Sequence, residues 1–168
     1  MSTRIDSNTD IATALREAMS TVCTPVTVVT ASVSDTPFGT TVSAFSSLSM
    51  DPPMVLVALS RQSDTLRAVT TSGHFGVNIL GSEQACLAAQ FATKGVDKFV
   101  DVPWNLSSGL PRIEGTSVWI ACDVAELVDG GDHVIITGDV RRTESLVTAP
   151  LTYHRRQFGT HAQLSSKN

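Results

Sequence analysis

The chain lacks a basic cluster, a long apolar run and any paired cysteines, and each absence removes a class of function. Its formal charge is -4, with lysines and arginines scattered. A nucleic-acid binder needs a clustered positive face. No apolar stretch approaches the roughly 20 residues of a membrane-spanning helix. The three cysteines, Cys23, Cys86 and Cys122, are far apart and form no C-x-x-C pair. Their odd number and the lack of a secretory leader predict buried free thiols in a reducing cytoplasm. Phosphate-loop, dinucleotide-fingerprint, nucleophile-elbow and zinc-helix motifs are missing too. Any dinucleotide is therefore not held in the Rossmann manner.

What remains is a globular chain of 168 residues, 42% hydrophobic and 17% charged, with room for one full core. Ile11, Leu15, Ala18 and Met19 recur at helical spacing after a cap at Thr9 or Asp10. A β-branched run predicts a strand over Pro25–Val33. Pro37 and Gly39 mark a turn. A second strand starts near Phe38 and runs through "TTVSAFSSLS". Met54–Leu59 reads as an apolar strand. Ser63 caps a short helix with Leu66 and Val69 inside, and Gly73 ends it. "HFGVNIL" is a strand. A helix runs from Ser82 to Gly95, with Cys86, Leu87, Ala89 and Gln90 inward. Residues 96–116 read as loop. "SVWIACDVAELV", "HVIITGDVRRTE" and "LTYHRRQFG" are three last strands. About seven strands and three short helices, without βαβ alternation, predict an antiparallel barrel with peripheral helices.

Four stretches carry chemistry. In "TTVSAFSSLS", Thr41, Ser43, Phe45, Ser47 and Ser49 fall on one side, and Val42, Ala44, Ser46 and Leu48 on the other. An unpaired buried hydroxyl costs about 1–3 kcal/mol. A flat heteroaromatic ligand rich in acceptors would satisfy several; an exposed Thr/Ser-rich strand would need no ligand. In "LSRQSDT", Ser60, Arg61, Ser63 and Thr65 surround a helix N-terminus. That combination suits a phosphate, or plain capping by Ser63 with Arg61 solvated. A phosphorylated heteroaromatic cofactor explains both stretches together. "DGGDH" ends in His133 at a strand mouth, where it contacts a ligand or shapes the turn. No second His stands at metal-ligand spacing, so no metal site is expected. "YHRRQ" joins Tyr153, His154, Arg155 and Arg156, either a ring sandwich or a charged edge strand.

In order and spacing, these stretches together with "GHFGVNIL", "LAAQFATKGVDKF" and "GLPRIEGTSVWIACDV" resemble the short-chain flavin reductases. These are the reductase components of two-component flavin-dependent monooxygenases. The resemblance implies a split antiparallel β-barrel of the FMN-binding, Greek-key type, usually a homodimer. It implies a domain over residues 10–162, with 1–9 and 163–168 as loose ends. It implies that NADH, or NADPH, reduces FMN or FAD, and that reduced flavin passes to a partner monooxygenase in the cytoplasm. By the same resemblance, Thr41, Val42, Ser43 and Ala44 line the flavin ring edge, with Ser46 and Ser47 close by. Ser60, Arg61, Ser63 and Thr65 take the phosphate. Phe91, Ala92, Lys98 and Phe99 lie beside the flavin or at a dimer contact. His133 positions the nicotinamide nucleotide, and Tyr153 and Arg155 contact flavin or nicotinamide. Alternatives are a non-catalytic flavin store, a pyridoxamine-phosphate-oxidase-like enzyme on a similar barrel, and a barrel without ligand.

Overall fold

This computed structural model of the protein describes residues 8–95 and 97–164. The expected loose ends, 1–9 and 163–168, fall mostly outside the described residues. Helix α1 covers Asn8–Ser20, so Thr9 and Asp10 already lie within the helix rather than ahead of it. Its predicted stripe is present, but Ile11, Leu15 and Met19 are all exposed. None of the described residues covers that face.

The predicted Pro25–Val33 strand divides in two: β1 (Thr24–Pro25) and β2 (Thr27–Val33). Between them the Val26 N–H donates to the Leu151 carbonyl, where the chain passes from one sheet to another. The hydroxyl-rich run also divides, into β3 (Thr36–Val42) and β4 (Phe45–Met50). Ser43 and Ala44 form a corner, so the expected alternation does not carry through them. The apolar run is β5 (Pro53–Ser60), and "HFGVNIL" supplies β6 (His74–Ile79). The long pair β9 (Val118–Gly130) and β10 (His133–Ser145) makes an antiparallel hairpin, with register shifts after Thr137 and Val140 that bend it.

These strands build a seven-stranded sheet in the order β3-β2-β6-β9-β10-β5-β4. Every neighbouring pair is antiparallel. β3 and β4 stand at opposite edges, yet only Ser43 and Ala44 separate them. The sheet must therefore curl until its edges meet. The Ala58 N–H donates to the Ala44 carbonyl at this seam. The antiparallel barrel expected from the sequence is the fold observed.

Helix α2 (Asp64–Ser72) packs Leu66, Ala68 and Val69 into the main core with Val29, Val57, Phe75 and Ile136. Gly73 closes it in the left-handed region, φ 74°, its N–H on the Val69 carbonyl. The helix expected over Ser82–Gly95 is shorter. A single tight turn at Ser82–Gln84 leads into α3 (Ala85–Ala92). Its inner face is Ala88 and Phe91, whereas Cys86 and Ala89 are exposed. The three cysteines are not all buried: Cys23 and Cys86 are exposed and only Cys122 is inside.

Two further corrections concern hairpins. Residues 96–116, expected as loop, contain β7 (Trp104–Ser107) paired with β8 (Leu110–Ile113). Buried Thr30 donates to the Pro111 carbonyl at 2.7 Å, and Asn78 Oδ1 accepts from the Ile113 N–H at 2.8 Å. Those side chains pin the hairpin to the barrel, which local sequence signals do not show. "LTYHRRQFG" is two strands, β11 (Leu151–His154) and β12 (Gln157–Thr160). Arg155 and Arg156 turn between them at φ 49° and 62°, the sign pattern of a type I′ turn.

Candidate functional site

Two joined hollows open where β3, β5 and α2 converge. They share Thr40, Ser60 and Ser63. The smaller, about 190 Å³, is lined by residues 40–44, 58–60, Ser63 and His133. The larger, about 490 Å³, runs between Pro37–Thr40, the start of α2, and residues 92–95 and 97–99.

The sheet register explains why distant residues meet. In the β5–β10 ladder His133 pairs with Ser60, which brings the hairpin turn onto the end of β5. His133 is half-buried, and its Nδ1 lies 2.8 Å from Asp132 Oδ1. The hydrogen bond with His133 holds the Asp132 carboxyl below the usual range. Thr41, Val42, Ser43 and Ala44 all line the smaller hollow. The Thr41 hydroxyl donates to the Ala88 carbonyl at 2.7 Å, tying β3 to α3. Val42 is buried in the main core. Ser46 and Ser47 lie beyond the corner on β4, exposed and away from both hollows.

At the shared rim, Ser63 occupies the cap position of α2, but its hydroxyl makes no cap bond. The capping expected of it is absent. The first-turn N–H groups of a helix have no partners within it, so they and the Ser63 hydroxyl are available to an anion. Thr65, in that first turn, lines the larger hollow.

Arg61 is placed differently. Its N–H donates to the Asp132 carbonyl at 3.0 Å. Its Nε donates to the Gly131 carbonyl at 2.8 Å, and its guanidinium lies 2.6 Å from Asp129 Oδ1. Arg61 lines neither hollow.

Ala92, Lys98 and Phe99 form the far wall of the larger hollow. Phe91 stands behind them in the core, edge-on to Phe99 at 5.0 Å between ring centroids. Lys98 Nζ donates to the Gly39 and Phe91 carbonyls at 3.1 and 3.0 Å. Burial holds its ammonium below the ordinary lysine range. Gly39 is required there: a Cβ would meet the Phe91 ring at 2.7 Å and Phe99 at 3.2 Å.

The structure does not bring Tyr153 and Arg155 to either hollow. Tyr153 packs on the second core cluster and touches Phe158, with ring centroids 5.3 Å apart. The Arg155 N–H donates to the Ser20 carbonyl at the end of α1. Conversely, Thr40, Gln62, Lys94 and Asp97 line the hollows, and the sequence reading did not single them out. Thr40 sits next to the hydroxyl run and Gln62 inside the phosphate stretch, so proximity was a usable signal for both. Lys94 and Asp97 come in only through the fold.

The profile described as "Flavin reductase like domain" matches residues 19–162. The chain belongs to the flavin reductase-like family. It is similar to the reductase component of a 4-nitrophenol 4-monooxygenase/4-nitrocatechol 2-monooxygenase from Rhodococcus opacus, 41% identical over 80% of this chain and 72% of that protein. It is similar also to the FMN reductase (NADH) SmoA of Agrobacterium fabrum, 37% identical over 86% of this chain and 83% of the relative. Among solved structures, the NADH:FAD oxidoreductase SgcE6 of Streptomyces globisporus superposes with a TM-score of 0.87. It is 30% identical, over 97% of this chain and 100% of that one. The members of this flavin reductase-like family named here include users of either flavin, so the hollows must be read for themselves.

The residues present fit a flavin. A hydroxyl- and backbone-lined hollow suits a ring with several acceptors. An uncapped helix start suits a phosphate. The shared residues Thr40, Ser60 and Ser63 join the two places, as one ligand would require.

Proposed function

We propose that the chain is the reductase component of a two-component monooxygenase, an NAD(P)H:flavin oxidoreductase that uses NADH to reduce FMN or FAD. The observation that carries this reading is the continuity of the two hollows, with His133 at the mouth of the smaller one, in a chain of this family. The bound cofactors supply the hydride chemistry. The residues of the chain bind and orient. Thr41, Val42, Ser43 and Ala44 hold the ring edge, with β3 and seam backbone close against it. Ser60, Ser63, Thr65 and the first turn of α2 take the phosphate. His133 positions NADH over the ring, where geometry rather than acid–base chemistry sets the rate. Lys98 and Phe99 keep the far wall in place. No nucleophile or catalytic base is needed, which agrees with the missing nucleophile motifs.

A reductase of this kind releases its product to an oxygenase, so the partner is a monooxygenase subunit that takes reduced flavin. A homodimer in the cytoplasm completes the proposal. Its support is the stripe of Ile11, Leu15, Met19 and Val22, exposed in the single chain. A second copy would cover it. No helix among the described residues is long and apolar enough to cross a membrane.

The test is anaerobic mixing of the protein with NADH and either flavin. Bleaching of the flavin at a rate proportional to protein supports the reductase. Flavin binding without bleaching by NADH or NADPH removes it.

A further inference from the structure

We propose that Arg61 is a positioning residue for the nicotinamide nucleotide: through Asp129, Gly131 and Asp132 it fixes the turn from which His133 reaches the smaller hollow. It acts through that turn and is not itself a ligand of the flavin phosphate. The inference rests on the reductase reading above and assigns a role to a residue outside both hollows.

The turn needs an anchor. β6 pairs with β9 only as far as Asp123, and the Val124 N–H donates to the Gly73 carbonyl. Beyond that point, among the described residues, β9 pairs with β10 alone. Strand ends held on one side open readily. On the other side of β10, the ladder with β5 ends at the pair His133 and Ser60.

Arg61 is the next residue, and it continues the grip past the ladder. Its N–H donates to the Asp132 carbonyl at 3.0 Å. Its Nε donates to the Gly131 carbonyl at 2.8 Å, and a terminal nitrogen meets Asp129 Oδ1 at 2.6 Å. Three of the four residues from Asp129 to Asp132 are thus held by one. The planar guanidinium fork makes both side-chain bonds together, which a lysine ammonium on a flexible stem does not.

The grip reaches the His133 ring through Asp132. The Asp132 carboxylate lies 2.8 Å from His133 Nδ1, so holding Asp132 holds the ring orientation and leaves Nε2 to meet the nucleotide. Ser60 and Ser63 line both hollows while Arg61 lines neither. The stretch that carries the phosphate site therefore turns its one cation outward, onto the neighbouring hairpin.

The test is a double-mutant cycle on the full chain: the parent, Arg61→Ala, Asp129→Ala and the double variant. NADH is varied at saturating flavin, and flavin affinity is titrated separately by fluorescence. Each single variant should raise the Michaelis constant for NADH by about fivefold, the scale of an exposed ion pair. The turnover number should change less, and flavin affinity should hold. The double variant should be no worse than Arg61→Ala, because both changes remove one contact. Arg61→Lys, which keeps a charge beside Asp129 without the fork, should fall between parent and Arg61→Ala. Effects that multiply in the double variant overturn the clamp. So does weaker flavin binding in Arg61→Ala, or a lower melting temperature with all constants moving together, which would mark a merely structural role. A parent protein that bleaches no flavin with NADH or NADPH removes the reductase reading and this role with it.

Discussion

The Arg61 guanidinium lies 2.6 Å from the Asp129 carboxylate, and the same side chain donates to the Gly131 carbonyl at 2.8 Å. One residue at the end of β5 thus grips the turn that presents His133. A phosphate ligand and a turn clamp make opposite predictions. The clamp predicts that Arg61→Ala and Asp129→Ala behave alike, raising the Michaelis constant for NADH with little change in flavin affinity. Because the pair is exposed, each effect should stay below about tenfold, the scale of a surface ion pair. Steady-state kinetics beside flavin titration checks this. Weaker flavin binding in Arg61→Ala alone would return the guanidinium to the phosphate.

His133→Ala should raise the NADH Michaelis constant more than that for flavin. Loss of one hydrogen bond of about 0.5–1.5 kcal/mol corresponds to roughly two- to tenfold. The Ser60 pairing is through backbone, so the barrel should be unaffected. An unchanged NADH constant would take His133 out of the site.

Gly39→Ala drives a methyl into the Phe91 and Phe99 rings at 2.7 and 3.2 Å. Overpacking of this sort costs about 1–3 kcal/mol. Urea unfolding should show that loss. Flavin affinity should fall as well, since Phe99 and the Lys98 bond to the Gly39 carbonyl form the wall of the larger hollow. A variant as stable as the parent would mean the rings move aside freely.

Cys122 is fully buried, and desolvation raises its thiol to about 12. Only the thiolate attacks an alkylating agent. At pH 8, Cys23 and Cys86 should therefore react in the native protein and Cys122 only after unfolding. Mass spectrometry of the alkylated peptides reads this directly. Fast native labelling of Cys122 would contradict its place between β6 and β10.

The barrel was legible because the β-branched run Thr27–Val33 and the apolar run Met54–Leu59 carry strand signals in their own residues. The corner was not legible. Ser43 and Ala44 look like any strand residues, and only the meeting of β3 and β4 across the closed barrel forces a bend there. The inward face of α3 was misread because Cys86 and Ala89 are as apolar as Ala88. What decides between them is the position of Phe91 against Gly39, a contact across the fold. The turn at Arg155 and Arg156 carries none of the usual glycine or asparagine. In the hollows, residues close in sequence stay close in space, so Thr41–Ala44 line one and Ser60 and Ser63 stand on the rim the two share. Arg61 departed because its partner, Asp129, sits in a hairpin that reaches β5 only through strand pairing.

The most direct measurement is a crystal structure of the protein with flavin bound. The predicted density places the ring in the hollow of Thr41–Ala44 and a phosphate at Ser60, Ser63 and the start of α2. A flavin ring anywhere else, with that hollow filled by solvent, would contradict the site at its centre.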